Sequence, residues 1–138
     1  MLAEIADRCG IVEECYEFML AYAARGLPGD PGSQSDKEVR EFLQRAIRAI
    51  DGLPESCATA VKQEGLEPVA RYEAFIAVLD RDASSTLAAI ELVKAQPAIS
   101  SQFVDNLNAS IHLRAFLTDL FLLDEILKTQ RQQRRAVS

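Results

Sequence analysis

The sequence predicts an all-α protein, an antiparallel helical bundle of four main helices with one short additional helix. The first reason is the spacing of apolar residues in two long segments, where they recur in alternating steps of four and three. Such spacing lines one side of a helix, which must then pack against another helix. The second reason is that no stretch alternates apolar and polar residues between turn signals, so no strand is expected.

Composition limits what the molecule can be. The chain has 138 residues, of which 49% are apolar, and this is enough for one domain with a substantial core. No apolar run of about 18 residues occurs, so no membrane span is expected. Glu4 and Asp7 stand where a secretory signal would be basic and then apolar, and the three cysteines fit a reducing compartment. We therefore expect a cytoplasmic protein.

Charge is distributed unevenly along the chain. The formal net charge is −6, and all 21 acidic residues precede Lys128, whereas four of the 15 basic residues lie between Lys128 and Arg135. An acidic body repels phosphate groups, which argues against nucleic-acid binding. The basic tail, residues 128–138, is expected to complement the negative end of a helix and to keep a fraying end in solution. The alternative is that the tail contacts an acidic partner or RNA.

The first helix is predicted over residues 2–25. Its apolar row is Ile5, Cys9, Val12, Tyr16, Met19 and Ala23. Gly10 lies inside this segment and predicts a close helix crossing or a short break, because glycine costs about 1 kcal/mol relative to alanine in a helix. The glycines and prolines of residues 26–32 then end the helix.

The second helix is predicted over residues 35–50. It opens with a capping box, since Ser35 is followed three residues later by Glu38. A short helix over residues 54–63 follows and is expected to lie across the end of the bundle. Its clear core candidates are Ala58 and Val61.

The two remaining helices are predicted over residues 68–95 and 101–131. Pro97 separates them, because the residue before a proline is disfavoured in the helical region. The apolar stripe of the first of these helices is Tyr72, Ile76, Leu79, Ala83, Thr86, Ile90 and Val93. The stripe of the last helix is Ala109, Leu113, Phe116, Leu120, Leu123 and Leu127. Both stripes are expected to pack inside the bundle.

The last helix is more apolar than one buried face requires. Such breadth predicts a second contact surface, and a symmetric homodimer is the commonest way to cover one. The predicted interface residues are Phe116, Leu117, Leu120, Phe121, Leu122 and Ile126. The alternative is that the short helix covers this surface.

No nucleotide, haem, flavin or catalytic motif is present, so no cofactor is predicted. The single histidine, His112, shares a polar side of the last helix with Asp105, Asn108 and Asp119, whose residue types could bind a metal or act as acid and base. A solvated helix face is the competing interpretation. A second histidine and a close cysteine pair are both missing, so neither a di-iron nor a zinc site is predicted.

The leading functional hypothesis is a small cytoplasmic interaction protein, a homodimer that acts as adaptor, accessory factor or regulator of an unidentified partner protein. The alternative is a bundle that binds a small ligand or metal in its core, with or without enzymatic activity. Arg114 lies among apolar residues and calls for an anionic ligand or a carboxylate partner, such as Glu17 or Glu73. The candidate ligand or ion-pair residues are Tyr16, Glu17, Tyr72, Glu73, His112 and Arg114.

Overall fold

A computed structural model of the chain describes residues 1–137. In this part of the chain there are helices and no strands, which confirms the predicted all-α class. The helical segments are α1 (Leu2–Ala24), α2 (Gln34–Ile50), α3 (Leu53–Gln63), α4 (Val69–Lys94), α5 (Ser101–Ala109) and α6 (Ile111–Val137). Across residues 1–137, none of the helices combines the length and the apolar character that a membrane span requires.

Helices α1 and α2 run antiparallel and are joined by aromatic and ionic contacts. Phe18 stacks on Phe42 with 3.9 Å between the ring centroids, and Arg45 pairs with Glu14 at 3.2 Å. Since residue numbers rise along α1 as they fall along α2, the two helices point in opposite directions. The row of α1 that faces the other helices is buried at Leu2, Ile5, Cys9, Val12, Cys15, Met19 and Tyr22.

Helices α4 and α6 form the second antiparallel pair. The Thr86 hydroxyl donates to the carbonyl of His112 at 3.0 Å, while Tyr72 lies beside Ile126 at the other end of the pair. The predicted stripe of α4 is confirmed, because its central members are buried and Tyr72 and Val93 are half-buried. The buried residues of α6 include Leu113, Phe116, Leu117, Leu120, Leu123 and Leu127.

Helix α3 closes one end of the bundle and α5 packs against α1 at the opposite end. The sequence underestimated how deeply α3 is buried. Its buried residues are Leu53, Pro54, Cys57, Ala60 and Val61, whereas Ala58 is only half-buried. An end-capping helix packs a wide face against several neighbours at once, so a search for one narrow stripe finds few of its core positions.

Ser110 divides the predicted last helix into α5 and α6. Its backbone is extended, with φ −63° and ψ 142°, and its hydroxyl accepts from the amide of Leu113 at 3.3 Å. Serine therefore caps the new helix instead of continuing the old one. The stripe prediction is wrong at Ala109, which is exposed, and correct from Leu113 onward.

Two predicted helix ends also differ in the structure. Helix α2 begins after Ser33, whose hydroxyl accepts from the Asp36 amide at 3.1 Å, so the predicted capping box at Ser35 does not form. Helix α6 continues to Val137, beyond the predicted end at residue 131. Within the tail, Arg134 forms an ion pair with Glu64 at 3.2 Å at the carboxyl end of α3. The basic tail thus neutralises the negative end of another helix as well as its own.

A buried carboxylate, Asp36, connects α2 to the end of α4 and to the segment after it. Its two oxygens accept from Arg40 Nε at 2.9 Å and from the Ile99 amide at 3.2 Å. Arg40 in turn donates to the carbonyls of Lys94 and Gln96, at 2.7 and 2.5 Å. Burial raises the pKa of Asp36, but the hydrogen bonds from Arg40 and from backbone amides outweigh it and lower the pKa below its usual value.

Asp36→Asn is expected to lower the free energy of unfolding by about 3 kcal/mol at pH 7, because it leaves Arg40 and a backbone amide without their anionic acceptor. The lowered pKa means that the carboxylate stabilises the fold above its ordinary pKa and loses this effect as the pH falls through the folded value. The difference in free energy of unfolding between the wild type and Asp36→Asn should therefore become smaller in acid. Urea unfolding followed by circular dichroism measures this difference at each pH. Glu41→Gln, an exposed neutralisation on the same helix, serves as the control, and an equal loss in both variants would contradict the assignment.

Gly10 does not mark a crossing or a break, contrary to the sequence-based expectation. It is exposed, α1 is continuous through it, and a Cβ built there meets nothing within 4 Å. The glycine therefore lowers helix stability without a steric reason.

Gly10→Ala is expected to raise the free energy of unfolding by about 0.5–1 kcal/mol, since alanine restricts the unfolded chain and fits the helix. Gly52→Ala is the matched control. It should be destabilising, because Gly52 has a φ of 73° that an L-residue adopts with strain. Urea titrations of both variants measure the sign of the change in free energy of unfolding. A lower value for Gly10→Ala would show that α1 needs the glycine.

Candidate functional site

The outer surface along which α4 and α6 lie side by side, here called the α4–α6 face, carries large exposed apolar side chains. At the beginning of α4 it forms an open groove of about 280 Å³, the tyrosine groove. Its lining includes Pro68, Arg71, Tyr72, Phe75, Leu122 and Ile126. Leu122 is 52% exposed and Ile126 is 39% exposed. A groove of this kind accepts apolar side chains from a neighbouring molecule.

A second apolar groove lies at the other end of α4. This phenylalanine groove has a volume of about 420 Å³ and is lined by Ala89, Leu92, Val93, Phe103 and Leu107, among others. Leu92 and Phe103 are both exposed. Phe75 and Ala89 are fourteen positions apart, which places them on nearly the same side of α4 and about 21 Å apart along its axis.

Two carboxyl groups lie between the grooves. Asp119 of α6 faces Asp82 of α4, and the Asp119 Oδ2 is buried with no hydrogen-bond donor among residues 1–137. Burial, then the hydrogen bond and the charge of Asp82, raise the pKa of Asp119 to about 7. Two ionised carboxylates are both acceptors, so Asp82 and Asp119 can hydrogen-bond to each other only when they share a proton. The pair can therefore take up a proton near neutral pH.

A polar cleft lies on another side of the molecule, between α1, α5 and the start of α6. Its volume is about 450 Å³, and Tyr16 and Arg114 are both in its lining. These are two of the six candidate residues predicted from sequence. Among the other four, Tyr72 lines the tyrosine groove, while Glu17, Glu73 and His112 have exposed side chains. The six residues thus do not form one site in the core.

Arg114 does not need the internal carboxylate partner that the sequence suggested. Its side chain is exposed, and within the described residues it makes no ion pair with Glu17 or Glu73. The expectation failed because position 114 lies on the solvent side of α6, although its sequence neighbours are apolar.

The predicted interface residues divide into two groups. Phe116, Leu117 and Leu120 are buried within the chain, with 6% exposure or less, and so belong to its core. Phe121, Leu122 and Ile126 are exposed on α6. Only the second group is available to another molecule, and of these Leu122 and Ile126 line the tyrosine groove.

The polar side predicted for the last helix is not one surface. Because Ser110 separates the helices, Asp105 and Asn108 lie in the cleft on α5, whereas Asp119 faces α4. Within residues 1–137, no group of three or more His, Cys, Asp or Glu side chains could hold a metal ion.

The three cysteines belong to the core. Cys9, Cys15 and Cys57 are buried and unpaired. Burial raises the pKa of Cys57 to about 12 and raises that of Cys9 far above its usual value. A thiol held protonated in this way is a poor nucleophile, so these residues act as small apolar side chains.

Asp82, Leu92 and Phe103 were not among the residues singled out from the sequence. Leu92 and Phe103 are large apolar residues outside the stripes, which was the available signal for an exposed groove. For Asp82 the sequence offered less, because a carboxylate beside an apolar stripe gives the same sequence pattern whether its side chain faces water or another carboxylate.

Comparison of the chain with protein-family models, with curated proteins and with solved structures found no match.

Asp119→Asn is expected to raise the melting temperature at pH 8 by about 3 °C or more and to change it little at pH 5. A raised pKa means that the fold binds this proton more tightly than the unfolded chain, so stability falls as the pH rises from the ordinary aspartate value through about 7. Asparagine has no charge to repel Asp82. Thermal unfolding at both pH values measures the difference, with the exposed Asp80→Asn as control. Equal shifts at pH 5 and pH 8 would contradict the pairing.

Proposed function

We propose that this protein is a non-catalytic interaction module that forms a homodimer through the tyrosine groove. The observation that carries the proposal is the exposure of Leu122 and Ile126 beside Tyr72 and Phe75. Exposed aliphatic and aromatic side chains around a groove are typical of protein contact surfaces.

A second copy of the chain is the proposed occupant because the same surface offers both an exposed leucine and a groove. A twofold axis brings the same patch of two subunits together, so a patch needs both a protruding side chain and a recess to receive it. Leu122 is 52% exposed, and it lines the same groove as Tyr72 and Phe75. Two copies related by such an axis would each insert Leu122 into the groove of the other.

The phenylalanine groove remains free in this dimer and is the proposed contact for the unidentified partner protein. The two grooves lie about 21 Å apart along α4, which exceeds the diameter of an α-helix, so both surfaces can be occupied together. The Asp82 and Asp119 pair beside it favours a partner with basic residues near its apolar contacts. This arrangement corresponds to an adaptor or regulator, and we propose a cytoplasmic location from the buried, unpaired cysteines.

Sedimentation equilibrium at micromolar concentration is expected to give a mass of about 30 kDa, twice the chain mass of 15.2 kDa. Leu122→Ser should weaken the dimer by about tenfold or more, because the single twofold interface loses one buried leucine from each copy. Leu92→Ser is the matched control, since Leu92 is 66% exposed and lies in the other groove. A monomeric wild-type protein, or equal weakening by both substitutions, would overturn the proposal.

A further inference from the structure

The polar cleft between α1, α5 and α6 has the composition of a small-molecule site. Its volume of about 450 Å³ lies within the range of ligand pockets in proteins. The lining of the cleft includes Tyr16, Leu20, Ala23, Asp105, Asn108 and Arg114. They supply one cation, one anion, a phenol, an amide and a small apolar wall.

The two charges of the cleft are opposite and unpaired. The side chains of Asp105 and Arg114 form no ion pair or hydrogen bond with another residue in positions 1–137, and only the backbone carbonyl of Arg114 accepts a bond, from the Thr118 hydroxyl. They are nine positions apart, and in one continuous helix such residues point about 180° away from each other. The break at Ser110 is what places both in the same cleft.

Asn108 lies in the same lining and is held in place by α1. It is 7% exposed, and its Nδ2 donates to the carbonyl of Met19 at 3.1 Å, which fixes the orientation of the amide. Its Oδ1 has no hydrogen-bond partner among the described residues. The bond to Met19 therefore holds this part of the cleft wall against α1.

The rest of the lining is apolar. Leu20 is 46% exposed even though α1 contacts four other helices, and the small side chains of Ala23 and Ala109 lie in the same lining. Small side chains on both walls admit a compact aliphatic group between the two charges.

We propose that this cleft binds a small zwitterion with an apolar body, of the class of the aliphatic α-amino acids. The carboxylate of the ligand pairs with Arg114, and the Tyr16 hydroxyl lies within the same lining. The ammonium group pairs with Asp105. The aliphatic side chain packs on Leu20. The proposal does not depend on the homodimer, which uses a different side of the molecule.

A free amino acid and the end of a short peptide share this chemistry. A smaller cavity of about 190 Å³ adjoins the cleft, since both are lined by Ala23 and Asp105. It offers room for a longer ligand. The test therefore includes both kinds of molecule.

Isothermal titration of the full chain with L-leucine, N-acetyl-L-leucine, L-leucinamide and a leucyl-leucine dipeptide tests the proposal. Leucine or the dipeptide is expected to bind with a dissociation constant in the millimolar range or below. The tighter of the two shows whether the cleft takes a free amino acid or the end of a peptide. Removal of the ammonium group or of the carboxylate should weaken binding by about tenfold, as expected for one charge-assisted hydrogen bond.

Variants assign the two charges. Arg114→Gln should weaken leucine but not leucinamide, and Asp105→Asn should weaken leucine but not the N-acetyl compound, each by about tenfold. Arg81→Gln, an exposed cation on α4, is the control. Ala109→Phe should block the cleft while the helical circular dichroism is unchanged, since Ala109 is exposed. Leu122→Ser should not alter ligand binding, even if it dissociates the dimer.

The proposal is overturned if neither leucine nor the dipeptide binds. It is also overturned if all four compounds bind equally, or if the two charge substitutions have no more effect than Arg81→Gln. Failure of the dimer in sedimentation would leave these titrations unaffected, so the two proposals are tested separately.

Discussion

The hydrogen-bonded pair of Asp36 and Arg40 connects α2 to the end of α4 and to Ile99. The position of α5 depends on this connection. Without it, the buried amide of Ile99 would lack its acceptor, and the partly buried carbonyls of Lys94 and Gln96 would lose Arg40 as a donor. A buried ion pair adds little net stability when compared with apolar residues of the same size, but it is expensive to leave half-made. The pair therefore fixes geometry, because only one placement of these segments satisfies all of its bonds.

That placement determines where α5 can lie. Ile99 is bonded to Asp36 and accepts from the Tyr22 hydroxyl at 2.6 Å, and Ser101 donates to the Tyr22 carbonyl at 2.7 Å. The start of α5 is thus attached to α1 by polar bonds, while Asn108 attaches its end. A helix of nine residues is too short to be stable alone, so these contacts create it. The walls of the polar cleft are consequently positioned by hydrogen bonds between α1 and the segment that contains α5.

Much of the fold was predictable because apolar spacing reports directly on burial. The stripe from Tyr72 to Val93 is correct almost residue by residue, and so is the stripe from Leu113 onward. Ser110 could not be found in this way, since the three-and-four spacing continues through it and serine is tolerated inside helices. The grouping of residues into sites was the least predictable part. The pKa of Asp119 is raised partly by Asp82, which is distant in sequence. Phe116 and Phe121 differ in exposure although both lie in the same apolar run.

The carboxyl pair between α4 and α6 also links folding to the solvent outside the protein. Between the ordinary pKa of aspartate and a value of about 7, the folded chain holds a proton at Asp119 that the unfolded chain releases. Unfolding in this interval therefore delivers acid to the buffer. The heat absorbed on unfolding then contains the ionisation enthalpy of whichever buffer receives the proton. Two solutions at the same pH but with different buffer salts would thus report different enthalpies for one and the same structural transition.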